Sequence, residues 1–261
     1  MCFKKAVAKS SGFSRIFAFG LMIFSGAGLI NLCTVCAETT DELQGPPVAQ
    51  SHIIGIDPGH QGPNVDMSDL EPLGPGSTEM KAKASTGTQG TFSGLPEYQL
   101  NLDVALKLRD ELEARGYEVY MIRETNDVDI SNAERAQLAA ESGSDILVRI
   151  HANGSDNTSV AGALTMAPST ANPYLSQEMI AECQKLSQCI ITAFCASTGA
   201  NNQGVYQTDE MSGLNWCSIP ATIVEMGYMT NQEEDTRMQT ADYQQQMVTG
   251  IADGIDQYFA S

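Results

Sequence analysis

Four residues could do chemistry together: His60, Glu97, His151 and Glu225. His60 follows the short apolar run IIGI (53–56), which stops at Asp57-Pro58-Gly59. His151 follows DILVRI (145–150), and Glu225 follows ATIV (221–224). Glu97 falls in the first turn of a helix that opens at Pro96, a residue suited to that position. Two neutral imidazoles and one carboxylate are enough protein ligands for a catalytic zinc ion, with a fourth position left for water. Such an ion brings the pKa of its water toward neutrality. A second carboxylate that binds no metal can accept the water's proton and pass it to a departing amine. Glu225 suits that role, because the strand before it is apolar. Its carboxyl is expected to be partly desolvated, where its pKa rises.

Taken singly, each residue has a plainer reading. A histidine after a strand serves as a helix cap or a satisfied core residue, and most buried polar residues are structural. The functional case rests on coincidence, since residues at the carboxyl ends of parallel strands converge on one crevice. A helix that follows a strand in such a fold starts at the same edge, which brings in Glu97. His52 precedes the first strand and has no partner by this logic, so it reads as exposed or as a support for the site. The sequence has no HExxH, no GxSxG, and no glycine-rich phosphate loop. A Ser or Cys nucleophile would lack a spare histidine if both strand-end histidines bind metal.

The elements that must position these residues are legible as alternating patterns. After the first strand comes 61–96, rich in Gly, Pro, Ser and Thr, which reads as a long functional or mobile loop. Leu100, Val104, Leu108 and Leu112 recur at four-residue spacing, an amphipathic helix closed near Gly116. A strand is expected at 117–122, then a helix capped by Ser131 and ending near Gly143. Strands at 145–150 and 160–166 precede a long helix over 174–197. A strand at 221–224 and a helix over 241–259 complete the chain. This order predicts a single α/β domain over 52–261, with a twisted, mostly parallel sheet and helices on both faces.

The N-terminus reads as a processing signal. Lys4, Lys5, Lys9 and Arg15 precede an apolar run over 16–32, and Val35 and Ala37 fit a small-residue cleavage site. Residues 1–37 are therefore expected to be a signal peptide, with 38–51 a polar linker. The alternative is a retained membrane anchor, but the run is short for a span once its glycines and serine are discounted. The chain carries 14 basic and 32 acidic residues. Four basic and no acidic residues fall in 1–37, so the remainder has ten against 32, a net of −22. That charge argues against nucleic acid and against anionic lipid as partners. It suits an exported protein kept soluble by an acidic surface.

Four cysteines follow the expected cleavage point: Cys183, Cys189, Cys195 and Cys217. The first three are spaced by six along one predicted helix, which spreads them around it. A Cys195–Cys217 bridge and buried free thiols both remain open. No CxxC motif follows residue 37, and a zinc–thiolate site is rejected.

Four segments resemble the zinc-dependent N-acetylmuramoyl-L-alanine amidases of the amidase-3 type. They are IGIDPGHQG (54–62); Glu97 heading a helix, with LEARGYEVYMIRETN (112–126) after it; SDILVRIHANGS (144–155); and IVEMGYMTNQEED (223–235). The resemblance spans roughly 52–259. It implies one zinc ion on His60, Glu97 and His151, with Glu225 as general acid and base. The implied reaction is hydrolysis of the amide between N-acetylmuramic acid and the L-alanine of the peptidoglycan stem, by a secreted, cell-wall-associated enzyme. Three departures stand out. Gln61 stands where Gly is common, Arg149 where Ser is common, and 61–96 is longer than usual. Arg149 either lines the cleft or only pairs with an acid. The long segment reads as a lid, a substrate-recognition loop or a solvated insertion.

Two other readings compete. A silent wall-binding module should have lost a ligand or the general base, and all four residues are present. A zinc peptidase acting on another exported amide would use the same metal chemistry.

Overall fold

The computed structural model describes residues 51–261. The expected signal peptide and all of the linker except Ser51 lie outside the described residues. Six strands form one sheet, in the order β4 (Glu118–Met121), β1 (Ile53–Pro58), β5 (Ile146–Asn153), β8 (Ala221–Tyr228), β6 (Ala163–Ala167), β7 (Asn202–Gln207). The first four run parallel. β6 pairs antiparallel with β8, and β7 parallel with β6. The expected mostly parallel sheet is therefore present, with a reversed pair at one edge.

Helices cover both faces, as expected. On one face lie α1 (Glu97–Ala114), α3 (Gln177–Thr198) and α6 (Ala241–Phe259); on the other lie α2 (Asn132–Glu141) and the short α4 (Ser212–Asn215). Alternation along β5 assigns the faces. Ile146, Val148 and Ile150 join Leu108, Phe194 and Val248 in the larger core, while Leu147 joins Ala136, Ala139 and Leu214 in the smaller one. Arg149 and His151 share the parity of Leu147, so they face the second side. Ser131 caps α2 through a full capping box with Glu134. Gly250 and Gly254 let α6 approach α3 closely: a Cβ on Gly254 would lie 2.5 Å from Ile190 Cα.

Several boundaries differ from the sequence reading. β5 and β8 run past their apolar stretches, so His151 and Glu225 lie within strands rather than after them. The reason is backbone pairing: His151 stands in register with Glu225, and Leu164 of β6 pairs with Glu225 from the other side. Sequence patterning also missed β7, α4 and α5 (Gln232–Met238). β7 (NQGVYQ) is a mostly polar edge strand, and α4 and α5 are too short for a helical period to register.

Residues 61–96 are not a solvated insertion. They contain an antiparallel hairpin, β2 (Leu70–Pro72) with β3 (Met80–Ala82). Glu71 is buried and accepts hydrogen bonds from Ser212 Oγ and the Ala133 amide. Trp216 Nε1 donates to Pro72 O at 2.8 Å, and Asn132 donates twice to Lys83 O. The hairpin is thus tied to α2 and α4. The later part of the segment is tied to α5, where Phe92 N, Ser93 N and Ser93 Oγ all donate to Asp235.

The four cysteines are free thiols. Cys195 packs against the larger core and Cys217 belongs to the smaller one, on opposite faces of the sheet, which excludes their bridge. Burial pushes the Cys217 thiol up to about 12.

Candidate metal centre

The turn after β1 presents His60. Its φ is 63°, a left-handed conformation that costs a non-glycine residue roughly 1–3 kcal/mol unless its surroundings enforce it. Two buried arginines do so. Arg123 donates to Pro58 O at 2.7 Å and to Gly59 O at 2.9 Å. Arg135 donates to Pro58 O at 3.1 Å and to His60 O at 3.0 Å. Between the two arginines, every carbonyl of the turn has a partner. His60 Nδ1 lies 3.2 Å from Ser85 O and 3.0 Å from Ser85 Oγ. A proton on Nδ1 donated to that carbonyl leaves the Nε2 lone pair free for a cation.

Glu97 is buried at the start of α1. Its Oε2 accepts from Thr88 N at 2.8 Å; its Oε1 accepts from Ala152 N at 3.1 Å and Asn101 Nδ2 at 3.2 Å. That same Oε1 lies 3.1 Å from His60 Nε2 and 3.2 Å from His151 Nδ1. Burial alone would raise the Glu97 pKa. The hydrogen bonds and charges of the two histidines outweigh it and hold the carboxyl far below its ordinary range. Burial is also the main cause that lowers His151 to about 4, so its ring is neutral at neutral pH. Its Nε2 packs against the backbone of Gly59, where a Cβ would fall 2.2 Å away.

One carboxylate oxygen and two imidazole nitrogens thus lie within 4.8 Å of one another. Ligands bound to zinc at about 2.0–2.1 Å in a tetrahedral array stand roughly 3.3 Å apart. Two of the three spacings, 3.1 and 3.2 Å from Glu97 to each imidazole, match that array. All three are electron-pair donors of the kind zinc takes, and the cluster fits one zinc ion.

Glu225 stands directly across from His151, on a strand about 4.8 Å away. It is 9% exposed, and its Oε2 has no hydrogen-bond partner. Burial, and then the Glu97 carboxylate, push its pKa up to about 8. A buried carboxyl with a raised pKa and an unpartnered oxygen is chemically able to take and return a proton near neutral pH.

A sequence profile of the N-acetylmuramoyl-L-alanine amidase family matches residues 54–257. The chain belongs to that family. It is 26% identical over 229 residues to the N-acetylmuramoyl-L-alanine amidase LytC of Bacillus subtilis, a match covering 88% of this chain but only 39% of LytC. It is 24% identical over 212 residues to the amidase Rv3717 of Mycobacterium tuberculosis, covering 80% of this chain and 87% of that protein. The crystal structure of the amidase Ami1 from Mycobacterium smegmatis superposes with a TM-score of 0.72 at 26% identity, over 80% of this chain and 97% of Ami1. Membership makes the protein an amidase acting on the N-acetylmuramoyl–L-alanine bond of peptidoglycan.

The four residues singled out from the sequence of the amidase meet at one end of the sheet. His52 does not join them: it stacks on Phe259 and pairs with Asp145, a residue that immediately precedes β5. Of its two readings, Arg149 takes the first, lining the cleft, while also holding an acid. It pairs with buried Asp57 at 2.8 Å and lines the cleft beside His60 and His151. Sequence reasoning missed Ser85, Thr88, Asn101, Arg123 and Arg135, which orient the ligands. Asn101 was reachable, since it lies one helical turn after Glu97 on the same face. Ser85 and Thr88 sit in a stretch without periodicity, and no local signal marks them.

Proposed function

We propose that His60, Glu97 and His151 hold a single zinc ion and that Glu225 is the general base and acid of the amidase reaction. The observation that carries this reading is the shared Glu97 Oε1, at ligand spacing from both imidazoles. Zinc bound there supplies Lewis acidity and brings the pKa of water toward neutrality. Asn101, Thr88 and the Ala152 amide fix the Glu97 carboxylate, and Ser85 fixes the His60 ring, so the donors are aimed before any cation arrives. Glu225 accepts the proton of the attacking water at its free oxygen. It then delivers that proton to the nitrogen of L-alanine as the bond to the muramoyl carbonyl breaks. A dication in the cluster offsets the repulsion from Glu97, and so favours the ionised form of Glu225 at the start of the cycle.

The substrate is the amide joining N-acetylmuramic acid to the stem L-alanine. We infer that the enzyme acts outside the cytoplasm, after cleavage of residues 1–37. The basic stretch, apolar run and small-residue site at the N-terminus support this. Among the described residues, no helix is long and apolar enough to cross a membrane.

Purified peptidoglycan is incubated with the wild type and with Glu225→Gln, and new N-terminal L-alanine is assayed with and without a zinc chelator. The wild type is expected to release it, and the chelator to stop release. Glu225→Gln is expected to lose about 10²–10⁴-fold in kcat while keeping its zinc. Full activity in Glu225→Gln would remove Glu225 from the mechanism. New N-termini at a later stem residue would make the enzyme a peptidase.

A further inference from the structure

A cleft borders the ligand cluster between the β2–β3 hairpin and α4, and His60, His151, Lys81, Arg149, Ser212 and Gly213 line it. Asp57 supplies one negative charge and is shared by two guanidiniums: Arg135 Nη1 lies 2.6 Å from Oδ1, and Arg149 Nε lies 2.8 Å from Oδ2. Lys81 and Glu210, both at the rim, pair with each other at 3.4 Å. One carboxylate shared by two guanidiniums leaves that group with a positive charge, and Arg149 is its guanidinium that borders the cleft.

Arg149 is 3% exposed. Its Nη2 donates to Asn132 Oδ1 at 2.9 Å. Its Nη1 donates to no acceptor among the described residues, and it lies over Gly213, where a Cβ would fall 1.4 Å from it. Arg149 borders the cleft with a nitrogen that no protein acceptor claims, and a carboxylate arriving there gains a charge-assisted hydrogen bond. Guanidinium is also the side-chain group best matched to a carboxylate. Arg149 and His151 are two residues apart on one strand face, about 6.6 Å along β5. That is close to the span from the scissile amide to the backbone carboxyl of the next residue after L-alanine, about 6 Å. In peptidoglycan that residue is a glutamate linked through its side chain, so its α-carboxyl is either free or amidated.

We propose that Arg149 is a specificity-determining residue that receives this free α-carboxylate, so that the enzyme prefers stems with glutamate over stems with isoglutamine. The proposal rests on the amidase reading above. It concerns a residue at which this chain departs from the pattern it resembles, which commonly has Ser there.

The test compares kcat/KM on two synthetic muramoyl peptides that differ only in that carboxyl, acid or amide. Wild type, Arg149→Ser and Gly213→Ala are assayed, each loaded with zinc. The ratio of the two substrates within one protein cancels any loss common to both. The wild type is expected to favour the acid by roughly ten- to a hundredfold, the discrimination given by a charged donor left unpaired. In Arg149→Ser the ratio should fall to near one. Gly213→Ala pushes the guanidinium aside without removing its charge, and should lower the ratio even if Arg149→Ser fails to fold. Equal rates on the two substrates with the wild type would overturn the proposal while leaving the amidase reading intact. So would an unchanged ratio in the variants. Cleavage of neither substrate by the wild type would overturn both.

Discussion

Asp57 shows how one buried charge organises several functional groups. It is fully buried, which by itself would raise its pKa. Arg135 and Arg149 outweigh burial and hold the carboxyl well below its ordinary value of 3.8. A carboxylate depressed in this way stabilises the fold fully above the unfolded-state value, and that contribution is lost as pH falls below it. Asp57→Asn would strand two buried guanidiniums without their counter-ion, a loss of about 3–5 kcal/mol. The gap between wild type and variant should be full at pH 7 and should shrink as pH drops below about 3.8. Urea denaturation at pH 7 and pH 3 measures it, and an equal gap at both would mean that the ion pairs do not set the stability. Arg135 also bonds the His60 carbonyl, so the same substitution should loosen the ligand turn and weaken metal binding.

Helices and strands carry these groups with little tolerance for displacement. α1 delivers Glu97, and α6 packs between α1 and α3 behind the sheet. The close approach of α6 to α3 depends on Gly250 and Gly254, both facing backbone atoms of α3. Gly254→Ala places a methyl group 2.5 Å from Ile190 Cα, and backbone there cannot rotate away. Overpacking of this kind costs typically about 1–3 kcal/mol. Thermal denaturation should show that loss, with zinc content little changed because the clash lies on the sheet face away from the cleft. A neutral or raised Tm would mean that the two helices can separate freely. The β2–β3 hairpin works differently. Glu71, Pro72 and Lys83 tie it to α2 and α4, so it forms a fixed wall of the cleft.

As a whole, the described domain has two apolar cores, one on each face of the sheet. Apolar burial of that extent is expected to hold the fold without a metal. Removal of zinc should abolish amide hydrolysis and leave the far-UV circular dichroism unchanged. It should lower Tm by the linkage amount, about 2.7 kcal/mol of stabilisation lost when zinc is initially present at 100 times its dissociation constant. Readdition of zinc should restore both activity and Tm. Unfolding by chelation alone would contradict this account and make the cluster structural.

The clustering of His60, Glu97 and His151 was legible in the sequence because chemistry-bearing residues broke apolar runs at the ends of strands, and a parallel sheet gathers such ends at one edge. The fold class followed from alternation alone: Leu100, Val104, Leu108 and Leu112 mark a helix, and DILVRI marks a buried strand. The strand limits did not follow, because His151 and Glu225 are polar yet stay in the ladder through their neighbours' hydrogen bonds. The antiparallel turn of β6 was hidden for a similar reason, since pairing direction depends on how the chain returns across the sheet and not on side-chain period. The supports for the ligands were hidden too. Ser85, Thr88 and Arg135 reach His60 and Glu97, and Arg123 reaches the adjoining Gly59, across 9 to 75 positions of sequence. Arg149 could be seen to be unusual, but only the tertiary structure decided that Asp57 holds it and that it borders the cleft. Local sequence dictates periodicity and chemical type, whereas partners and the balance of buried charge are set by contacts that exist only once the chain has folded.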